Sequence, residues 1–227
     1  MTGKVWTRRG ALALLAGGAA AALGGWYFFP YRSHTYRFRM TVEVQTPQGA
    51  TQGSSVYEVR ARKLAALTSE AAERSLGTLG EATIIDLPSG PVFVLMKTPD
   101  EAPDVAFGKM SMAALDPEFK NDWVESAGRI GRSWSTLRGD VRREDWPLIV
   151  RFRDITDPRS VEAVDPEVIG VKRIAVETTD DDVTTGIEKR LRWLRTHNGA
   201  LVYDGRMHPD APEKDLNQRV FSTEIGK

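Results

Sequence analysis

The side chains able to do chemistry are thinly spread in this chain. His34, His197 and His208 are its three histidines, and none has a second ligand at a metal-binding spacing, such as two histidines four apart on a helix. They read as surface or loop residues. Asp180, Asp181 and Asp182 offer oxygens to a hard cation such as calcium, but the spaced ligands and central glycine of a calcium loop are missing. A solvated acidic turn near a helix N-terminus is the simpler reading. Asp154, Asp157 and Asp165 are carboxylates of the kind that work in pairs as acid and base. Two of them precede proline, in Asp157-Pro158 and Asp165-Pro166, and turn formation accounts for all three without chemistry.

Ser54 and Ser55 follow Gly53, but a nucleophile elbow needs Gly-x-Ser-x-Gly on a strand-to-helix turn, and these serines sit in a hairpin. Thr184-Thr185-Gly186 opens an expected helix, whose first N–H groups can receive an anion, although a capping box already uses some of them. The basic run from Lys189 to Arg195, with Trp193 among its arginines, offers a face to lipid headgroups, to a partner, or simply to water. The catalytic residues are thus unknown from sequence, and no cofactor or metal is expected.

The elements that must position these groups are clearer. From Tyr36 to Val44 apolar and polar residues alternate without a fault, the mark of a strand with one buried face. Thr46-Pro47-Gln48-Gly49 supplies a turn, and Ser54 to Arg60 a returning strand. A helix rich in Ala and Glu is expected over about 63–75. Glu81 to Leu87 and Val92 to Lys97 flank Pro88-Ser89-Gly90-Pro91 as a second hairpin, whose apolar centres predict central strands covered on both faces.

Between Thr98 and Trp146 periodicity is poor, with a short helix expected at about 117–126 and a lid, a partner surface or a loose insertion all open. Strands follow at Leu148 to Phe152 and Lys172 to Thr178. Thr185 with Glu188 forms the capping box of an amphipathic helix through Leu194. The rest is polar, with an edge strand near Leu201 to Tyr203. The fold class expected is α+β, mainly antiparallel sheet built from hairpins with a few packed helices.

Ahead of all this, Lys4, Arg8 and Arg9 precede twenty uncharged residues, Gly10 to Phe29, that end in Trp26-Tyr27-Phe28-Phe29. Twenty helical residues reach ~30 Å, the thickness of a hydrocarbon core. Seven alanines and five glycines make the stretch weakly apolar, so a cleaved signal with a site at Ala20-Ala21-Ala22, or a buried core helix, stays open beside a retained anchor. The aromatic cluster beside Arg32 favours the anchor, because such residues suit a membrane interface. Arg8-Arg9 resembles part of a twin-arginine export signal, with Ala11 and Ala13 where phenylalanine and lysine are expected. Gly17 with Ala21 and Gly18 with Ala22 are spaced to seat a partner helix. Arginines at 32, 37 and 39 weaken the orientation signal, but the short basic N-terminal tail is expected to stay in the cytoplasm.

The expected organisation is a basic cytoplasmic tail (1–9), an anchor or uncleaved signal in membrane lipid (10–29), a juxtamembrane linker (30–35), an extracytoplasmic domain (36–204) and a polar C-terminal tail (205–227). Lys plus Arg and Asp plus Glu are both 31, which leaves no overall field to draw nucleic acid. With no cysteine there is no disulfide and no thiolate chemistry.

Tyr36-Arg37-Phe38-Arg39-Met40-Thr41-Val42-Glu43-Val44 with Gly53-Ser54-Ser55-Val56, and later Asp154-Ile155-Thr156-Asp157-Pro158, Val164-Asp165-Pro166 and Val183-Thr184-Thr185-Gly186-Ile187-Glu188-Lys189-Arg190-Leu191, carry a resemblance. Together they resemble an uncharacterised family of bacterial envelope proteins with one N-terminal span and a single extracytoplasmic domain. The connection from Pro166 to Lys172 is shorter here than in that family. The resemblance implies address and architecture, and it transfers no activity and no functional residue. Two functional classes follow as expectations. The first is an inner-membrane protein with a periplasmic interaction or structural module, lacking catalysis and engaging an envelope protein partner. The alternative is an envelope hydrolase or small-ligand-binding enzyme whose site is assembled from distant residues, and the alternative address for the chain is export and release by a twin-arginine route.

Overall fold

Alternation in the first strand is realised in full. In the computed structural model, which describes residues 33–63, 74–98, 103–197, 201 and 216–224, β1 runs Ser33–Thr46 with Tyr36, Phe38, Met40, Val42 and Val44 buried. The turn at Pro47-Gln48 returns it as β2, Gly49–Lys63, paired without a slip from Ser33↔Arg62 to Thr46↔Gly49. β3 (Arg74–Leu79) flanks β2. On the other side of β1 lie β9 (Val171–Thr178) and then β6 (Arg138–Asp140), giving one five-stranded antiparallel sheet, β3-β2-β1-β9-β6.

A second sheet holds β4 (Thr83–Leu87), β5 (Gly90–Val94), β7 (Ile149–Phe152) and β8 (Val161–Ala163) in the order β4-β5-β7-β8, again antiparallel. Two helices, α1 (Pro103–Leu115) and α2 (Trp123–Gly131), complete the set. The α+β, sheet-rich expectation therefore holds for the described residues.

The core has two layers of contact, separated by the second sheet. Ile85, Val92 and Val94 face the first sheet and the helices, joining Phe38, Tyr57, Phe107 and Met112 in one cluster. Phe93, Leu95 and Val150 face the other way, against Ile187, Leu191, Trp193, Leu194, Val220 and Phe221. The doubly covered strands read from their unbroken apolar centres are thus present, because strands with apolar groups on both sides need a layer on each, but β4, expected to be central, stands at the edge of its sheet. One close approach fixes α1 against the first sheet. A Cβ at Gly139 would lie 1.8 Å from the Ala114 carbonyl oxygen, so only glycine lets β6 pass beneath the end of the helix.

Several expectations are corrected. Of the helix expected over 63–75, residues 64–73 lie outside the described set, while Lys63 ends β2 and Ser75 belongs to β3. The helix expected at 117–126 begins only at Trp123, where the Asp122 carboxylate accepts the Glu125 N–H as cap. α1 was hidden in the poorly periodic stretch for a physical reason. Its Ala106, Phe107, Met110, Ser111, Met112 and Leu115 are buried, so it has little polar face to create a period, and Pro103 opens the helix where a missing N–H costs nothing.

The expected helix from Thr185 to Leu194 is instead two 3-10 turns, Ile187–Lys189 and Arg192–Arg195. A straight α-helix would not bury the adjacent pair Trp193 and Leu194 together with Ile187 and Leu191, and the break at Leu191 allows it. Gly186, at φ +111°, makes the sharp entry that the capping box was expected to provide. The C-terminal segment is not a loose tail over 216–222: Leu216, Val220 and Phe221 are fully buried, and Leu201 donates its N–H to the Leu216 carbonyl. The expected span at 10–29 lies outside the described residues, and no described helix is long and apolar enough to cross a membrane.

Phe221 stacks edge-on near Phe93 and Trp193, so Phe221→Ala should cost about 3–5 kcal/mol of stability, read as a lowered urea midpoint with an unchanged slope. A midpoint shift within error of zero would show that the C-terminal segment does not contribute to the cooperative core.

Candidate functional site

One open cleft, of about 480 Å³, lies where four pieces of chain converge. These are the start of β1 at Thr35–Arg37, the end of α2 with the following loop to Thr136, Arg138 of β6, and the end of β9 with Thr179 and Asp180. Gly131 ends α2 so close to β1 that a Cβ there would stand 2.9 Å from the Thr35 carbonyl oxygen. The helix is thereby pinned to the first residues of β1, the central strand of its sheet. The loop that follows is held by Ser133, whose hydroxyl donates to the Ser135 carbonyl at 2.9 Å, and Trp134 projects from it into solvent with its whole side chain exposed.

Three of the cleft's charged side chains, Arg37, Arg138 and Glu177, are held in ion pairs. Arg138 meets Glu177 at 2.9 Å, and Arg37 meets Glu58 at 3.0 Å while also reaching the Asp181 carbonyl and Asp182. Thr178 accepts the Leu137 N–H on its hydroxyl. The walls therefore present paired ions, hydroxyls and one indole. Such a lining suits a hydrated or amphipathic surface better than an apolar small molecule, which needs a greasy pocket. A smaller cleft of about 250 Å³ beside Lys109, Phe119 and Arg142 is half apolar in lining.

Buried ionisable groups sit elsewhere, at the seams of the fold. Glu81 is buried, and its carboxylate accepts the Ile187 N–H at 2.7 Å and the Ser222 hydroxyl at 3.1 Å. Loss of hydration raises its pKa, and the two hydrogen bonds only partly offset that. Asp116 is the opposite case. Burial alone would raise it, but hydrogen bonds from Arg129 and Ser126 outweigh burial and hold the carboxyl below the usual range. Glu58 is likewise held low, with the Arg37 and Arg60 guanidinium groups outweighing burial. Burial pushes the phenols of Tyr36 and Tyr57 up. Tyr36 hydrogen-bonds Ser111, which donates onward to the Gly108 carbonyl, and Tyr57 hydrogen-bonds Thr83. Each of these groups stitches one element to another.

The residues singled out by sequence are mostly spent on the backbone. Asp154 accepts from the Thr156 N–H and hydroxyl, Asp157 from the Arg159 N–H and Asp165 from the Glu167 N–H, so all three close turns as the proline reading expects. Asp181 pairs with Arg39 and accepts the Thr179 hydroxyl, and Asp182 pairs with Arg37. Asp181 and Asp182 thus latch the chain across the outer face of the first sheet, where Thr184 exchanges hydrogen bonds with Val56. No group of three metal-ligating residues occurs among the described residues.

Ser54 and Ser55 are strand residues opposite Thr41 and Met40. The N–H groups after Thr184-Thr185-Gly186 also serve the fold. The Ile187 N–H belongs to Glu81, and there is no α-helix behind it. Trp193 is buried and donates its indole N–H to the Ile155 carbonyl, while Arg190 pairs with Asp86 and Arg195 with Glu188. His197 stacks edge-on near Trp193, His34 lies in β1 against Gly128, and His208 falls outside the described residues. Asp154, Asp157, Asp165 and His197 line neither of these two clefts.

Sequence reasoning missed Trp134. Its signal was an aromatic residue set among Ser133, Ser135 and Thr136 with glycine on either side, a composition no buried element would carry. Comparison of the chain with protein families, curated proteins and solved structures finds no match.

The raised Glu81 pKa fixes a sign. Between the ordinary glutamate value and the raised one, the folded state binds more protons than the unfolded state, so this group's contribution falls as pH rises through that window. Glu81→Gln removes that loss, and its melting temperature relative to the parent should climb as pH rises above the ordinary glutamate range. A difference independent of pH would show that the carboxylate is not buried as described. Asp116→Ala leaves the buried Ser126 hydroxyl without its acceptor and Arg129 with Glu125 alone, and should cost about 1–3 kcal/mol in urea unfolding at neutral pH. A cost near zero would mean the pair is solvated.

Proposed function

We propose that this chain is a membrane-tethered interaction or structural module of the bacterial envelope, held in the inner membrane by residues 10–29 with its domain on the periplasmic side. The observation that supports it most is where the domain begins. β1 is hydrogen-bonded on both sides, to β2 and β9, and its first residue, Ser33, stands only four positions after Phe29. Four residue steps span at most about 14 Å, so a helix ending at Phe29 would couple directly to the core strand rather than through a slack linker. A domain joined in this way keeps one end toward the bilayer, an arrangement suited to positioning and holding rather than to free encounter. The charged groups described above agree with that reading, since the carboxylates and guanidiniums at the seams and turns are occupied in holding elements together.

A reporter fused at the C-terminus tests tether and direction together. An export-dependent phosphatase should be active on the full chain, and the protein should stay in the membrane fraction until detergent is added. Deleting residues 1–32 should release it. Full-length protein in the cytosol without detergent would overturn the reading. Chemical crosslinking in intact cells should capture a discrete envelope partner, and a chain that remains uncrosslinked would leave tethering without interaction.

A further inference from the structure

We propose that the loop between α2 and β6, with Trp134 at its tip, lies in the headgroup layer of the same bilayer and docks the domain on anionic lipid through a collar of Arg62, Lys63, Arg74 and Arg132. The inference rests on the tether proposed above. It starts from the exposure of Trp134, which is complete, whereas Trp123, Trp146 and Trp193 are all buried or half-buried. An indole has an apolar body and one N–H donor, and the interface between hydrocarbon and water satisfies both.

Position is the second observation. α2 abuts the entry of β1, with Gly128 against His34 and Gly131 against the Thr35 carbonyl, so the loop after α2 is fixed to the end of the sheet where the chain arrives from residue 32. Charge is the third. Arg62 is paired in register with Ser33, and Lys63 with Arg74, which brings three cations to that same end, and Arg132 starts the Trp134 loop. All four are exposed, and Arg62, Lys63 and Arg132 form no ion pair among the described residues. Arg74 has only a loose, solvated one with Asp122 at 3.4 Å. Basic side chains beside an aromatic anchor are what an anionic lipid surface attracts. The far end of the sheet, the turn at Pro47-Gln48, stands about 45 Å away along β1.

The chain has no cysteine, so a single introduced thiol carries a nitroxide without background. The full chain, reconstituted in vesicles of phosphatidylcholine and phosphatidylglycerol, is labelled at Thr136→Cys or, as the distal control, at Gln48→Cys. Docking predicts an oxygen-to-nickel-chelate collision ratio several-fold higher at 136 than at 48. That ratio should fall toward the distal value when Trp134→Ala is added, and also when phosphatidylglycerol is omitted. Protein that floats with the vesicles yet shows equal ratios at the two sites, or a ratio at 136 indifferent to Trp134→Ala, overturns the docking and leaves the tether standing. Protein that does not float at all refutes the tether, and the docking with it.

Discussion

A buried carboxylate holds this fold shut. Glu81 sits between β3 and β4, where the chain leaves one sheet for the other, and binds both the turn at Ile187 and the hydroxyl of Ser222. Around it the backbone repeats the join: Ala82 donates to the Phe221 carbonyl, Thr223 to the Gly80 carbonyl, and Met96 to the Val220 carbonyl. Three stretches far apart in sequence meet at one point, and each supplies part of the cover for the second face of the second sheet. Burying an anion there is costly, the more so with the Glu188 and Glu224 carboxylates nearby, and the Ile187 N–H and the Ser222 hydroxyl offset part of that cost.

The two cores follow from that closure. The helices and the first sheet cover one side of β4, β5 and β7, and the segments gathered at Glu81 cover the other. Aromatic groups fill each side, with Phe38, Tyr57 and Phe107 in contact in the first and Phe93, Phe152, Trp193 and Phe221 in the second. The outer face of the first sheet is kept by charge instead. Arg37, Arg39 and Arg173 reach Glu58, Asp181 and Glu43 across neighbouring strands, and the acidic turn after β9 is drawn over it.

Strands were legible wherever one face is wet, because water imposes the period. β1 shows alternation from Tyr36 to Val44 and was read in the right register, and the apolar centres of β4 and β5 announced a layer on each side. Elements whose shape is decided by distant partners were not legible. α1 has no period since it is buried around most of its girth, and the stretch after Gly186 bends at Leu191 because the second sheet demands four apolar side chains on one side. β3, with Gly77 inside it, reads as a fading helix until β2 pairs with it. The charged candidates were read correctly as turn formers at Asp154, Asp157 and Asp165. The partners of Glu81, 106 and 141 residues away, were beyond any local pattern.

The two sheets end, on one side each, in strands of only three residues, β6 and β8. An edge that short, with Arg138 and Asp140 on one and Glu162 on the other, offers an incoming strand few free ladder positions and at least one charge on each edge. At those two borders the domain resists stacking strand on strand with its own copies, a safeguard against fibril growth for sheets with such apolar centres.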